Sequence, residues 1–147
     1  MDIANDNAVD TNIFEALWSG TPQLTAAARQ SLERANAQGP VVIAPPVLAE
    51  LAAAPGRDLK AIEIFLDRTR IEVDWALEQS VWRTAASAFS RYAERRRKQG
   101  RDPGPRRILA DFIIGAHAVH LATALLTFDQ GIYRAAFPSL TVIVPGR

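Results

Sequence analysis

The chain has 147 residues, of which 48% are hydrophobic and 22% charged, and its net charge is +1. That is an ordinary globular composition, and a single domain of this length buries roughly 70% of the surface its unfolded chain exposes, so it needs no covalent staples. With no cysteine, disulfides, thiolate metal sites and cysteine nucleophiles are excluded, and a reducing cytoplasm is the expected compartment.

The first six residues, Met1 to Asp6, lack the basic-then-apolar pattern of a signal peptide. No apolar run approaches the ~18 residues that span a bilayer, so no membrane partner is expected. The first strand should end near Val9 and lead directly into a helix reaching Trp18. Asn5, Asp6 and Asn7 are awkward for a central strand, because each unpartnered buried amide or acid costs about 1–3 kcal/mol. The regular strand is therefore expected to begin only near Asn7 or Ala8.

Thr21-Pro22 reads as a helix cap followed by proline in the first turn. Leu24, Ala27, Ala28, Leu32 and Ala35 continue at helical spacing until Gly39-Pro40. Val41 to Ala44 is a short continuous apolar strand of the kind buried on both faces in a parallel sheet. Pro45-Pro46 opens a helix through Val47, Leu48 and Leu51. Asp58 to Arg68 is an amphipathic helix, and Ile71 to Asp74 alternates as a strand. Leu77 to Gln99 is a long helix with Val81, Trp82, Ala85, Ala88, Phe89 and Tyr92 on its apolar side. A loop over 100–105 precedes a helix from Ile108 to Leu121, a buried strand from Ala124 to Phe128, a short helix around Ile132 to Phe137, and a last strand from Thr141 to Val144. Strands alternating with helices imply an α/β fold, an α/β/α sandwich with a mostly parallel central sheet, forming one domain over 1–147.

Four acids fall at matching topological positions. Asp10 ends the first strand, Glu50 lies in the helix after the second, Asp111 is near the start of the 108–121 helix, and Asp129 follows the 124–128 strand. In open α/β sheets ligands bind at the carboxyl ends of the strands, where these side chains can converge. Close carboxylates repel unless a cation sits among them, and hard oxygen donors favour Mg²⁺ or Mn²⁺ over zinc. Asp111, at a helix N-terminus, would be kept ionised by the helix dipole. Each acid also has a plain structural reading: Asp10 as an N-cap, Glu50 as a solvated helix residue, Asp111 as a dipole complement, Asp129 as a turn former.

Motifs around these acids match a family. Val9-Asp10-Thr11-Asn12, Pro46-Val47-Leu48-Ala49-Glu50-Leu51, the run from Leu109 to Ala118 and the run from Leu125 to Arg134 followed by Phe137-Pro138 resemble, in order, the four motifs of PIN-domain nucleases, with a tail like that of VapC toxins. The polar start of the first strand departs from the usual apolar one. The resemblance implies an acidic Mg²⁺ site that hydrolyses RNA phosphodiesters, Mn²⁺ being a possible substitute. It implies Asp10 and Asp111 as direct metal ligands, with Glu50 and Asp129 completing the cluster directly or through water. Thr11, Asn12 and Thr127 would orient ligands and waters. A VapB-like antitoxin and a homodimer are implied as protein partners.

Between Arg91 and Arg107 stand Arg91, Arg95, Arg96, Arg97, Lys98, Arg101, Arg106 and Arg107, against only Glu94 and Asp102. They fit either a nucleic-acid backbone or a solvated helix C-terminus. Arg106 and Arg107, close before Asp111, are the stronger RNA-binding candidates. His117 sits about 240° around its helix from Asp111, so His117 and His120 are expected to pack or face solvent. Trp18, Trp75 and Trp82 are read as core or interface residues, and Gly115 as a point of close helix packing. Rival functions are a PIN nuclease that processes RNA outside a toxin pair, and an inactive PIN scaffold that binds RNA or protein. A receiver or phosphatase domain is disfavoured, because neither Lys60 nor Lys98 is placed at a strand end.

Overall fold

The computed structural model describes residues 6–100, 109–122 and 124–147. Among these residues five strands form one sheet: β1 (Asn7–Val9), β2 (Val41–Ile43), β3 (Ile71–Val73), β4 (Ala124–Leu126) and β5 (Val142–Ile143). Their order is β3-β2-β1-β4-β5 and every pairing is parallel. The sheet is thus wholly parallel where the sequence implied a mostly parallel one.

The connections are α1 (Thr11–Ser19), α2 (Pro22–Gln38), α3 (Pro45–Ala53), α4 (Leu59–Arg68), α5 (Gln79–Lys98), α6 (Leu109–Leu121) and α7 (Gln130–Ala136). Right-handed crossovers place the helices that link β1 to β2 to β3 on one face. Those that return the chain to β4 and β5 lie on the other. Within each layer α1 packs on α2 and α3, and α6 against α5 and α7, while α3 also touches α6 across the division.

Local chemistry sets the boundaries. Thr21 caps α2 by accepting from Leu24 N at 3.3 Å, with Pro22 in the first turn. Asp58 caps α4 in the same way through Ala61 N at 2.7 Å. The first strand begins at Asn7, whose buried side chain donates from Nδ2 to Gln38 Oε1 at 3.4 Å and whose backbone N donates to Pro40 O. The polar start is accommodated by the C-terminal end of α2.

Helix α6 is the central piece of its layer, with every residue from Phe112 to Ala118 buried. Phe112 stacks against Phe89 and Tyr92 of α5. His117 is wholly buried and its Nε2 lies 3.1 Å from Asp74 Oδ2, just past β3. Burial lowers the His117 pKa more than Asp74 raises it, so the ring is neutral and donates to the carboxylate. His120 is exposed, 2.7 Å from Thr84 Oγ1.

One sequence expectation changes, the place of Trp82 on its helix, and for Trp75 and Trp82 the interface half of the core-or-interface reading is what remains. Trp82, placed on the apolar side of α5, is 48% exposed, and Trp75 is 66% exposed. Neither fills the core, because Val81 and Ala85 already occupy the buried stripe of α5. Trp18 alone packs inward, at 5.7 Å from Phe14 and 4.9 Å from Phe65 between ring centroids.

Gly115 meets the expected close approach: a Cβ there would sit 2.2 Å from Cε2 of buried Phe137. Gly115→Ala gains about 1 kcal/mol of helix propensity, but overpacking costs about 1–3 kcal/mol. The expected result of urea denaturation is a net loss of about 1–2 kcal/mol, with an unchanged m-value.

Candidate active site

The sheet reverses its direction of winding between β1 and β4. Such a switch point opens a crevice at the carboxyl ends of the two strands. The register pairs Val9 with Leu126, so the next residues out, Asp10 and Thr127, stand side by side in that crevice.

Asp10 is the N-cap of α1: its Oδ1 accepts from Thr11 N at 2.8 Å. Its Oδ2 accepts from Thr127 Oγ1 at 2.8 Å and from Asn12 Nδ2 at 3.3 Å. The capping role and a role in the crevice therefore coexist in one carboxylate.

Thr127, with no exposed surface, is a junction. Its Oγ1 also accepts from Asp129 N at 3.0 Å and faces Asn12 Nδ2 at 3.3 Å. Asn12 Oδ1 accepts from Phe128 N at 3.1 Å. Thr11 Oγ1 donates to Glu50 Oε1 at 2.6 Å, which ties α3 to the start of α1. Hydrogen bonds thus join six of the singled-out residues: Asp10, Thr11, Asn12, Glu50, Thr127 and Asp129.

Asp111, in the first turn of α6, acts on this group through its charge. Arg106 and Arg107 lie outside the described residues. The acids do not close into a finished cage: among the described residues no three carboxylate or imidazole groups stand near enough to share one ion.

Asp10 is 5% exposed, and its pKa is raised from 3.8 to about 6. Burial is the largest cause, and the Asp111 charge adds to it. The bonds from Thr127 and Thr11 and the Tyr133 hydroxyl act in the opposite direction. Desolvation outweighs three hydrogen-bonding influences because a carboxylate loses most of its hydration there.

Tyr133, which the sequence reading passed over, belongs to this site. It is 1% exposed, and Asp10, Asp111 and Asp129 all raise its pKa, although burial raises it most. The phenol therefore stays protonated. Its hydroxyl lies close enough to influence Asp10, yet it makes no hydrogen bond of proper geometry. The available signal was its spacing, since a residue four after Asp129 returns to the same side of a helix.

The PIN domain family profile matches residues 8–138. The chain belongs to the PIN-domain family. Among solved structures, it resembles VapBC2 from Rickettsia felis (19% identity, TM-score 0.62, 95% of this chain and 98% of that one). A VapBC-1 structure from nontypeable Haemophilus influenzae is similar (24% identity, TM-score 0.61, 95% and 97% covered). So is a toxin–antitoxin complex from Klebsiella pneumoniae (22% identity, TM-score 0.62, 93% and 95% covered). No curated protein sequence gives a significant match. At these identities the solved structures establish the PIN fold alone.

A raised carboxylate pKa makes the folded state bind more protons than the unfolded chain between about pH 4 and 6. The Asp10 contribution therefore destabilises the fold as pH rises through that window, and is fully adverse above it. The shift corresponds to roughly 3 kcal/mol at most. His117 has the opposite sign, because its lowered pKa makes stability fall as pH drops below its ordinary value of 6.5. Asp10→Asn keeps a competent N-cap and removes only the first effect. In EDTA at pH 7 the variant is expected to be more stable by about 1–2 kcal/mol. The gain should vanish near pH 4, as read from paired chemical denaturation curves.

Proposed function

We propose that this chain is a Mg²⁺-dependent endoribonuclease, a single PIN unit serving as the toxin of a VapBC-type pair, with Mn²⁺ a possible substitute. The carrying observation is the buried Asp10 carboxylate, poised at the switch point with Asp111 in electrostatic reach and Asp129 joined to it through Thr127. PIN nucleases generally use divalent metals.

The donor set fits such an ion. Mg²⁺ commonly binds through one or two carboxylates and keeps several of its waters, so a complete protein cage is not needed. The cation would neutralise the clustered acids, activate a water and stabilise charge on the phosphate. Asp10 and Asp111 would hold it, and Glu50 and Asp129 would complete the cluster directly or through water. Thr127 and Asn12 fix the Asp10 carboxylate in place, and Thr11 fixes Glu50. These residues orient groups and require no side-chain nucleophile.

RNA is the substrate class the cationic end of α5 supports. Arg91, Arg95 and Lys98 recur at one-turn spacing on an exposed stripe. Helices α5 and α6 pack antiparallel, Tyr92 against Phe112 and Thr84 against His120, which sets that end of α5 beside the start of α6, where Asp111 stands.

The similar structure from Klebsiella pneumoniae is a toxin–antitoxin complex, and that from Rickettsia felis is VapBC2 bound to a DNA fragment from its promoter. A VapB-like partner of this chain has an apolar groove available. Two adjoining cavities of about 260 and 370 Å³ share Trp18 and Phe65, and Arg57 stacks over Trp18 at 4.7 Å. The exposed Trp75 and Trp82, gathered with Pro45, Pro46 and Ala49, support a homodimer contact.

The deciding test is cleavage of a mixed RNA pool by partner-free protein in Mg²⁺, Mn²⁺ or EDTA. Wild type is expected to cleave only with metal, and Asp10→Asn and Asp111→Asn should each lose at least about 100-fold in rate. RNA retained but uncut in every metal would replace the nuclease with an inactive binding scaffold. Cleavage without any antitoxin partner in the native host would indicate an RNA-processing enzyme instead. Neutralising Arg91, Arg95 and Lys98 together should lower the slope of log affinity against log salt by about 2, at ~0.7 per phosphate contact on single strands.

A further inference from the structure

Tyr133 presents a chemical problem that the acids alone do not resolve. A phenol buried to 1% exposure ordinarily satisfies its hydroxyl, because leaving it unmade costs about 1–3 kcal/mol. Here the hydroxyl lies in the field of Asp10, Asp111 and Asp129, near enough to Asp10 to bear on its carboxylate, but among the described residues it makes no hydrogen bond of proper geometry. Only two side-chain atoms among the described residues share that condition, and the other, His117 Nδ1, belongs to the ring bonded to Asp74.

The surrounding groups narrow the explanation. The Asp10 carboxylate is within reach as an acceptor, so a hydroxyl placed simply to brace the fold would donate to it with good geometry. Thr127 does this to Asp10 at 2.8 Å. The acids also fall short of a three-ligand cage, so a divalent cation held there must keep waters. A retained water has protons that need acceptors and lone pairs that need donors. A phenol hydroxyl supplies one of each.

We propose that Tyr133 is a positioning residue for the metal centre, its hydroxyl anchoring a water in the hydration shell of a divalent cation held by the acids. The inference rests on the metal-dependent reading above. Its chemistry is that of an outer-sphere support, which typically changes metal affinity by 10–100-fold. The short helix α7 places Asp129 and Tyr133 one turn apart, so the same element supplies an acid and the water's anchor.

Tyr133→Phe tests this, since it removes one oxygen and keeps the ring. Mn²⁺ is titrated into wild type, Tyr133→Phe and Asp10→Asn, and free Mn²⁺ is followed by electron paramagnetic resonance. Denaturation of each protein in EDTA is measured in parallel. The expected result is Mn²⁺ affinity at least about 10-fold weaker in Tyr133→Phe, with stability in EDTA equal to wild type or higher, because an unsatisfied hydroxyl has gone. Wild-type Mn²⁺ affinity in Tyr133→Phe, with binding lost in Asp10→Asn, overturns the Tyr133 role and leaves the metal site standing. So does a Tyr133→Phe protein destabilised in EDTA with unchanged affinity, which would assign the hydroxyl to the fold. Wild type that binds no Mn²⁺ overturns both readings.

Discussion

Asp10 carries a carboxylate to a place where water scarcely follows it, at the junction where the sheet turns from β1 toward β4. A charge there must be compensated or given up. The fold supplies a backbone N–H from Thr11, the Thr127 hydroxyl and the Asn12 amide, and burial still lifts the pKa to about 6. Compensation by neutral hydrogen bonds is therefore incomplete, and Asp111 adds to the deficit. The site is built with an unmet demand for positive charge, which a hard divalent cation would meet directly.

The rest of the crevice follows from that demand. Thr127 must be fully buried and in register with Asp10, which fixes the β1–β4 pairing. Asn12 must face both Thr127 and the backbone of Phe128, which fixes the first turn of α1 against the end of β4. Thr11 draws Glu50 in from α3. A one-residue slip between β1 and β4 would separate Asp10 from Thr127 and turn the strand's side chains to the opposite faces. The hydrophobic burial of Val9, Leu125 and Leu126 thus serves the site as much as the core.

The helix layers hold this geometry from both sides. Helix α6 is apolar around nearly its whole circumference, so it seats between the sheet and α5, and its first turn carries Asp111 within electrostatic reach of Asp10. The neutral His117 ring ties the same helix to the end of β3 through Asp74. The close contact of Gly115 with Phe137 lets the chain beyond α7 lie against α6. Tyr133 enters the site from α7 under the same packing.

The sequence by itself determined the order of elements, the parallel α/β class and the positions of Asp10, Glu50, Asp111 and Asp129. The reason is that hydrophobic period, proline and glycine punctuation, and acids beside strand ends are local signals. Even the late start of the first strand was legible, from the cost of burying Asn5 to Asn7. Tertiary structure decided what local signals cannot carry. It made Thr127 the link between Asp10 and Asp129, exposed Trp75 and Trp82, and brought the Tyr133 hydroxyl into the field of three acids. Each depends on groups distant in the chain brought together by strand order, as with Asp10 and Thr127 across 117 positions. Burial of a polar atom is a property of the assembled layers, and no stretch of sequence states it alone.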